Sequence, residues 1–108
     1  MLGKFEELTL LSVIGAGAPA TAVNVFNFMS DGREVSSFGS FFTTLDRLEG
    51  KKLVEVQEKE IQTGTGKKRR KVYTVTKAGQ KRLRESLEIT SRMVERARFA
   101  RALDNVKE

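Results

Sequence analysis

The chain has 108 residues, a net charge of +6, 39% hydrophobic residues, seven Phe, one Tyr, and no Trp, Cys or His. That length supports one domain with a modest core. The missing Cys and His exclude disulfides, thiolate chemistry and ordinary zinc sites, along with the commonest general base.

The first element is a helix from about Lys4 to Ala16. Phe5, Leu8, Leu11 and Ile14 recur at helical spacing, and Leu10 and Val13 widen the stripe. Gly15, Gly17 and Pro19 end it. The apolar stretch Leu8 to Ala20 is too short and too interrupted to span a bilayer, which takes roughly 20 apolar residues. It follows Glu6 and Glu7 rather than the cationic start of a signal peptide. The expected compartment is the cytoplasm, with no membrane role. Thr21 starts a second helix with Ala22, Val25, Phe26 and Met29 on its inner face, and Asp31-Gly32 closes it.

The third helix begins at Ser36 or Ser37, either of which can accept a bond from an orphan backbone N–H. Phe38, Phe41, Leu45 and Leu48 fall on one side, with Phe42 on the flank. Ser40, Thr43 and Arg47 fall opposite, so small hydrogen-bonding groups and one guanidinium share a face. After Gly50-Lys51-Lys52 the period changes to that of a strand. Leu53-Val54-Glu55-Val56 begins one strand, Thr63-Gly64-Thr65-Gly66 forms a hairpin tip, and Lys71-Val72-Tyr73-Thr74-Val75 returns. Thr76 caps a last helix running from Lys77 to about Asn105.

Charge follows this division. Residues 1–60 hold six Lys/Arg against nine Asp/Glu, and residues 61–108 hold fourteen against five. A change of sign inside so small a domain points to a polyanionic partner. Three helices followed by a two-stranded hairpin is the layout of a winged helix-turn-helix. The expected class is mostly α with a small β-hairpin, in which residues 1–77 bind DNA and residues 78–108 form a long C-terminal dimerisation helix.

Helix 3 then occupies the place of a recognition helix, which enters the major groove. Ser37, Ser40, Thr43, Thr44 and Arg47 are its candidate DNA contacts, Arg47 through a bidentate pair with guanine. Lys67, Lys68, Arg69, Arg70 and Lys71 are five consecutive cations at the wing tip and the start of its second strand. They suit phosphate neutralisation with counterion release. Each feature alone has a plainer reading, as an ordinary amphipathic surface helix or as an edge strand protected by charge.

The last helix, about 45 Å if it runs 30 residues, is longer than the head can cover. Leu83 and Leu87 are expected to pack on the head. Ile89, Met93, Ala97, Ala100 and Leu103 extend the stripe beyond it, where a second copy is the natural cover. No GxSxG, P-loop or paired-carboxylate motif is present, and Gly64-Thr65-Gly66-Lys67 lacks the spacing of a phosphate loop. No enzymatic activity, catalytic residue, metal ligand or cofactor is expected.

These residues are similar to those of the PadR-like transcriptional regulators. The resemblance rests on Leu2-Gly3-Lys4-Phe5-Glu6-Glu7-Leu8 with Leu10-Leu11, on Thr43-Thr44-Leu45-Asp46-Arg47-Leu48-Glu49, and on the run from Gly66 to Thr76 with Gly79. It covers about residues 2–83. It implies operator binding as a homodimer, usually repression, and a C-terminal dimerisation helix. It further implies a response to small aromatic or hydrophobic effectors, although without Trp no stacking platform is available and no ligand residue is assigned. The chain departs from the family pattern at Phe42, where a Tyr is usual, and at Thr21-Ala22, where Tyr-Gly is common. Lys52 replaces the glycine expected before Leu53, and Gly50 stands two positions before it. The competing reading is a protein-interaction module whose basic wing docks an acidic partner. An RNA-binding role lacks paired aromatics for stacking bases.

Overall fold

The computed structural model describes residues 2–31 and 37–104, with side-chain surroundings given as far as residue 98. Its elements are α1 (Lys4–Ala16), α2 (Ala22–Asp31), α3 (Phe38–Gly50), β1 (Val54–Thr63), β2 (Gly66–Val75) and α4 (Lys77–Asp104). This is the expected order of three helices, a hairpin and a long helix.

Helix α1 runs through the middle of the head. Its start is fixed by the Gly3 N–H, which donates to Glu6 Oε1 at 3.0 Å. Leu10 and Val13 are buried, whereas Ile14, expected on the inner stripe, is 54% exposed. The buried side instead takes in Thr9 and Ser12. Their hydroxyls donate back to the Phe5 and Leu8 carbonyls at 2.7 and 2.8 Å, so neither is left unpaired in the interior. Val25 and Met29 of α2 face α1 and α3, with Ala22 and Phe26 packed at the edge of the core.

Phe41, Leu45 and Leu48 of α3 are fully buried. Phe38 is half exposed, yet Phe26 meets its ring edge-on at 5.1 Å and that of Phe41 at 5.3 Å. Such edge-to-face pairs exploit the aromatic quadrupole. Helix α3 leaves through a Schellman motif: Leu53 N–H donates to the Leu48 carbonyl and Lys52 N–H to the Glu49 carbonyl, both at 2.9 Å. Leu48 and Leu53 are both buried, the apolar contact that usually accompanies this exit. Lys52 itself sits at φ 61°, a left-handed position where glycine is the natural residue.

The hairpin pairs β1 with β2 from Val54↔Val75 to Thr63↔Gly66, leaving Gly64 and Thr65 as the two-residue turn. Its base closes the core through Val54, Tyr73 and Val75. On the outer edge of β2, Tyr73 N–H donates to the Ala20 carbonyl at 2.9 Å, and Thr21 bridges Val72. The wing is thus stitched to the α1–α2 loop. Thr76 joins three elements: its N–H reaches the Leu53 carbonyl, its hydroxyl donates to the Lys52 carbonyl, and that oxygen accepts from Gly79 N–H at the start of α4.

Candidate nucleic-acid interface

The polar side of α3 faces outward. Ser37, the helix N-cap, accepts from Ser40 N–H at 3.1 Å, which settles the choice between the two candidate caps for the described residues; Ser36 lies outside them. Ser37, Ser40, Thr43 and Arg47 are all exposed. The Ser37 hydroxyl donates to Ser40 Oγ at 3.1 Å, leaving the Ser40 proton free for an external acceptor. Thr43 is exposed and donates to the Gly39 carbonyl at 2.9 Å, so its proton is already used and its oxygen can serve an outside partner only as an acceptor. A threonine methyl suits the thymine C5-methyl, and a serine hydroxyl can serve either a base edge or a phosphate.

Thr44 departs from the expected set. It is only 5% exposed, and its hydroxyl is used in a 3.0 Å bond to the Ser40 carbonyl. At about 100° per residue it falls roughly 40° to one side of Leu48, at the edge of the inner side, and it does not face the solvent.

Arg47 lies in the last turn of α3. It is close enough to Glu6 to act on that carboxyl. Burial pushes the Glu6 carboxyl up, but the Lys51 ammonium donating to it at 2.8 Å, the Gly3 N–H, and the charges of Lys51 and Arg47 together hold it below its ordinary value. Glu6 thereby ties the start of α1 to the end of α3. At the hairpin base, burial raises the Tyr73 hydroxyl, and the nearby carboxylates of Asp46 and Glu49 add to that rise. Tyr73 thus marks the seam between α3 and the wing.

The five wing cations are all exposed and all lie within β2, not beyond the strand at its tip. Alternation divides them: Lys67, Arg69 and Lys71 share one face of the hairpin, and Lys68 and Arg70 share the other. Between wing and helices runs a groove of about 490 Å³, with Thr21, Asn24 and Phe42 on one side and Thr63, Arg70 and Lys71 on the other. Phe42 therefore lines the same groove as two wing cations.

On α4, Leu83 is buried and Ser86 donates to Glu7 Oε1 at 2.7 Å. Beyond Ser86 every residue to Arg98 is exposed. Leu87, expected against the head, is 39% exposed, whereas Ile89 and Thr90 on a neighbouring flank of α4 line a groove with Leu2, Lys4 and Glu7. Met93 and Ala97 are exposed on the length beyond, Ile89 is exposed at the edge of that groove with the head, and Val94, which sequence reasoning missed, is exposed with them. Its signal was the seven-residue spacing from Leu87. Ala100 and Leu103 fall where side chains are outside the described residues. Among the described residues no helix is long and apolar enough to cross a membrane, and no cluster of acidic side chains could hold a metal ion.

Three helices followed by a cationic two-stranded hairpin define a winged-helix protein. Residues 10–85 match the family described as the transcriptional regulator PadR-like family, and the chain belongs to it. This is a family of regulators rather than of catalysts. Among solved structures, the chain is similar to a PadR family transcription regulator from hypervirulent Clostridium difficile R20291, with a TM-score of 0.70 and 21% identity over 88% of this chain and 94% of that one. It is also similar to a PadR family transcriptional regulator from Eggerthella lenta DSM 2243, with a TM-score of 0.66 and 21% identity over 83% of this chain and 77% of that one. At such identities the likeness concerns the fold. No curated protein sequence matches the chain.

Proposed function

We propose that this regulator is a cytoplasmic repressor that binds duplex DNA sequence-specifically as a homodimer. The observation that carries the proposal is the outward polar face of α3, with Ser40, Thr43 and Arg47 exposed, beside a wing whose five consecutive cations are all exposed. In this reading α3 enters the major groove and the wing grips the adjacent backbone. Ser40 and Thr43 supply a free donor, acceptors and a methyl, and Arg47 supplies the guanidinium. The wing cations supply affinity that does not depend on sequence.

The uncovered arc of α4 supports the dimer. Ile89, Met93 and Val94 are each more than two-fifths exposed on a helix about 42 Å long, and a second copy would bury them. A two-fold pair would present two copies of α3 to successive grooves on one side of a duplex. Repression, and a small hydrophobic effector that relieves it, extend the proposal by family membership.

The test is a binding titration on the upstream region of its own gene and on an unrelated duplex. Arg47→Ala should narrow the affinity ratio between the two, by about 1–3 kcal/mol if one bidentate base contact is lost. Neutralising Lys67 to Arg70 should weaken both duplexes by similar factors. Equal loss of discrimination from both changes would refute this division of labour. No binding even at low salt would instead favour a module that docks an acidic protein.

A further inference from the structure

The two faces of the wing differ in net charge, although each carries three cations. The register places Glu58 opposite Lys71 and Glu60 opposite Arg69 on the face that continues from the core residues Val56 and Tyr73. Directly opposed side chains on one face have their Cβ atoms about 5 Å apart. Arg69 Nε also lies 3.5 Å from Glu58 Oε2. Lys67, Arg69 and Lys71 thus share their face with two carboxylates, for a net charge of +1.

The reverse face is built differently. Lys59 stands opposite Arg70, Ile61 opposite Lys68, Gln57 opposite Val72 and Thr63 opposite Gly66. From position 57 to the tip this face carries Lys59, Lys68 and Arg70 and no carboxylate, for a net charge of +3. Its nearest acidic position is Glu55, four residues down the same strand from Lys59 and so about 13 Å away. That exceeds the Debye length of roughly 8–10 Å at ordinary ionic strength, so the carboxylate is largely screened. Among the described residues, none of the three cations forms an ion pair. Lys59 belongs to β1 and lies outside the five-residue basic run. Only the register brings it against Arg70.

We infer that the phosphate-binding surface of the wing is the face formed by Lys59, Lys68 and Arg70, and that Glu58 and Glu60 hold down the affinity of the opposite face for any polyanion. The inference rests on the proposed DNA binding and deepens it. A cation already facing a carboxylate neutralises less of a phosphate's charge and so displaces fewer of the counterions condensed on the DNA. It therefore adds less to the salt-dependent part of binding. The five-residue run is then not one patch. Two of its members work with Lys59, and three are partly cancelled.

Two full-length variants with the same net charge separate the faces: Lys59→Gln/Lys68→Gln/Arg70→Gln, and Lys67→Gln/Arg69→Gln/Lys71→Gln. All six positions are exposed, and unchanged circular dichroism melting confirms that each variant folds. Fluorescence anisotropy on a duplex from the gene's own upstream region and on an unrelated duplex, between about 50 and 200 mM salt, gives the slope of log K against log salt. The first variant should flatten that slope by about 2 to 3, and Lys59→Gln alone by about 0.9. The second should flatten it by about 1 or less. Glu58→Gln/Glu60→Gln should steepen it. Equal flattening by the two triple variants, or more from the second, would overturn the assignment. If the wild-type chain binds neither duplex at the lowest salt, the DNA-binding reading itself fails, and the inference with it.

Discussion

Gly79 gives the sharpest prediction about how the arm is seated on the head. A Cβ at this position would lie 2.1 Å from the Leu53 carbonyl oxygen, 2.8 Å from Val75 Cγ1 and 3.1 Å from the Leu53 carbonyl carbon. A normal carbon–oxygen contact is about 3.3 Å, so in Gly79→Ala helix and strand must part by about 1.2 Å. The clash is with backbone, which cannot rotate away. The same Leu53 carbonyl accepts from Thr76 N–H at 3.0 Å, and Thr76 Oγ1 accepts from Gly79 N–H at 3.0 Å. Overpacking of this kind costs about 1–3 kcal/mol, a weakened hydrogen bond adds about 1, and alanine's better helix propensity returns about 1. The net loss is about 1–3 kcal/mol. For a domain of this size that lowers Tm by roughly 5–20 °C. Circular dichroism melting measures it. Gly50→Ala is the control, since a Cβ there meets nothing within 4 Å. It should be neutral or slightly stabilising. A Gly79→Ala protein melting within about 3 °C of wild type would refute the packing argument.

Lys52→Gly should stabilise the protein by about 1 kcal/mol, because it relieves a left-handed lysine at the Schellman exit of α3. An unchanged or lower denaturation midpoint would contradict that. Glu6 sets an acid limit. Its folded pKa lies below the ordinary value of 4.5, so its contribution is fully present above about pH 4.5 and is lost as pH falls through the folded value. Wild type should therefore exceed Glu6→Gln in Tm at pH 6, with the gap closing as the pH falls below 4.5; a gap independent of pH would exclude the Lys51 and Arg47 interactions as its source. In Met93→Glu a charge enters the proposed dimer seam, which should weaken self-association by about 3 kcal/mol, more than a hundredfold. Sedimentation velocity tests this, and an unchanged mass would contradict the proposed interface.

Much of the fold was legible because periodicity and punctuation agreed. The spacing of Phe41, Leu45 and Leu48 gave α3, and the β-branched run before Thr76 gave the return strand. The errors share a physical origin. Ile14 and Thr9 exchanged roles because a hydroxyl that bonds its own helix backbone can occupy the interior, which a polarity pattern does not show. Thr44 followed the same rule. Leu87 is expected on the head yet lies off it, because a sequence stripe does not reveal which flank of a helix its neighbour covers. Lys59 was missed as a partner of Arg70 because their juxtaposition depends on a hairpin register across eleven residues. Neither the opposing pairs Glu58–Lys71 and Glu60–Arg69 nor the free face behind them can be seen until that register is known. The Schellman exit at Lys52 was likewise hidden, since the residue there is not the expected glycine.

Hydroxyl-radical footprinting of the wild-type protein on the region upstream of its gene puts the two-headed reading of DNA to the most direct test. Two protected patches on the same side of the duplex, one helical turn of about 34–36 Å or a multiple of it apart, are what a pair of α3 helices joined through α4 requires. A single protected patch, or uniform cleavage at protein concentrations that saturate binding, would contradict it.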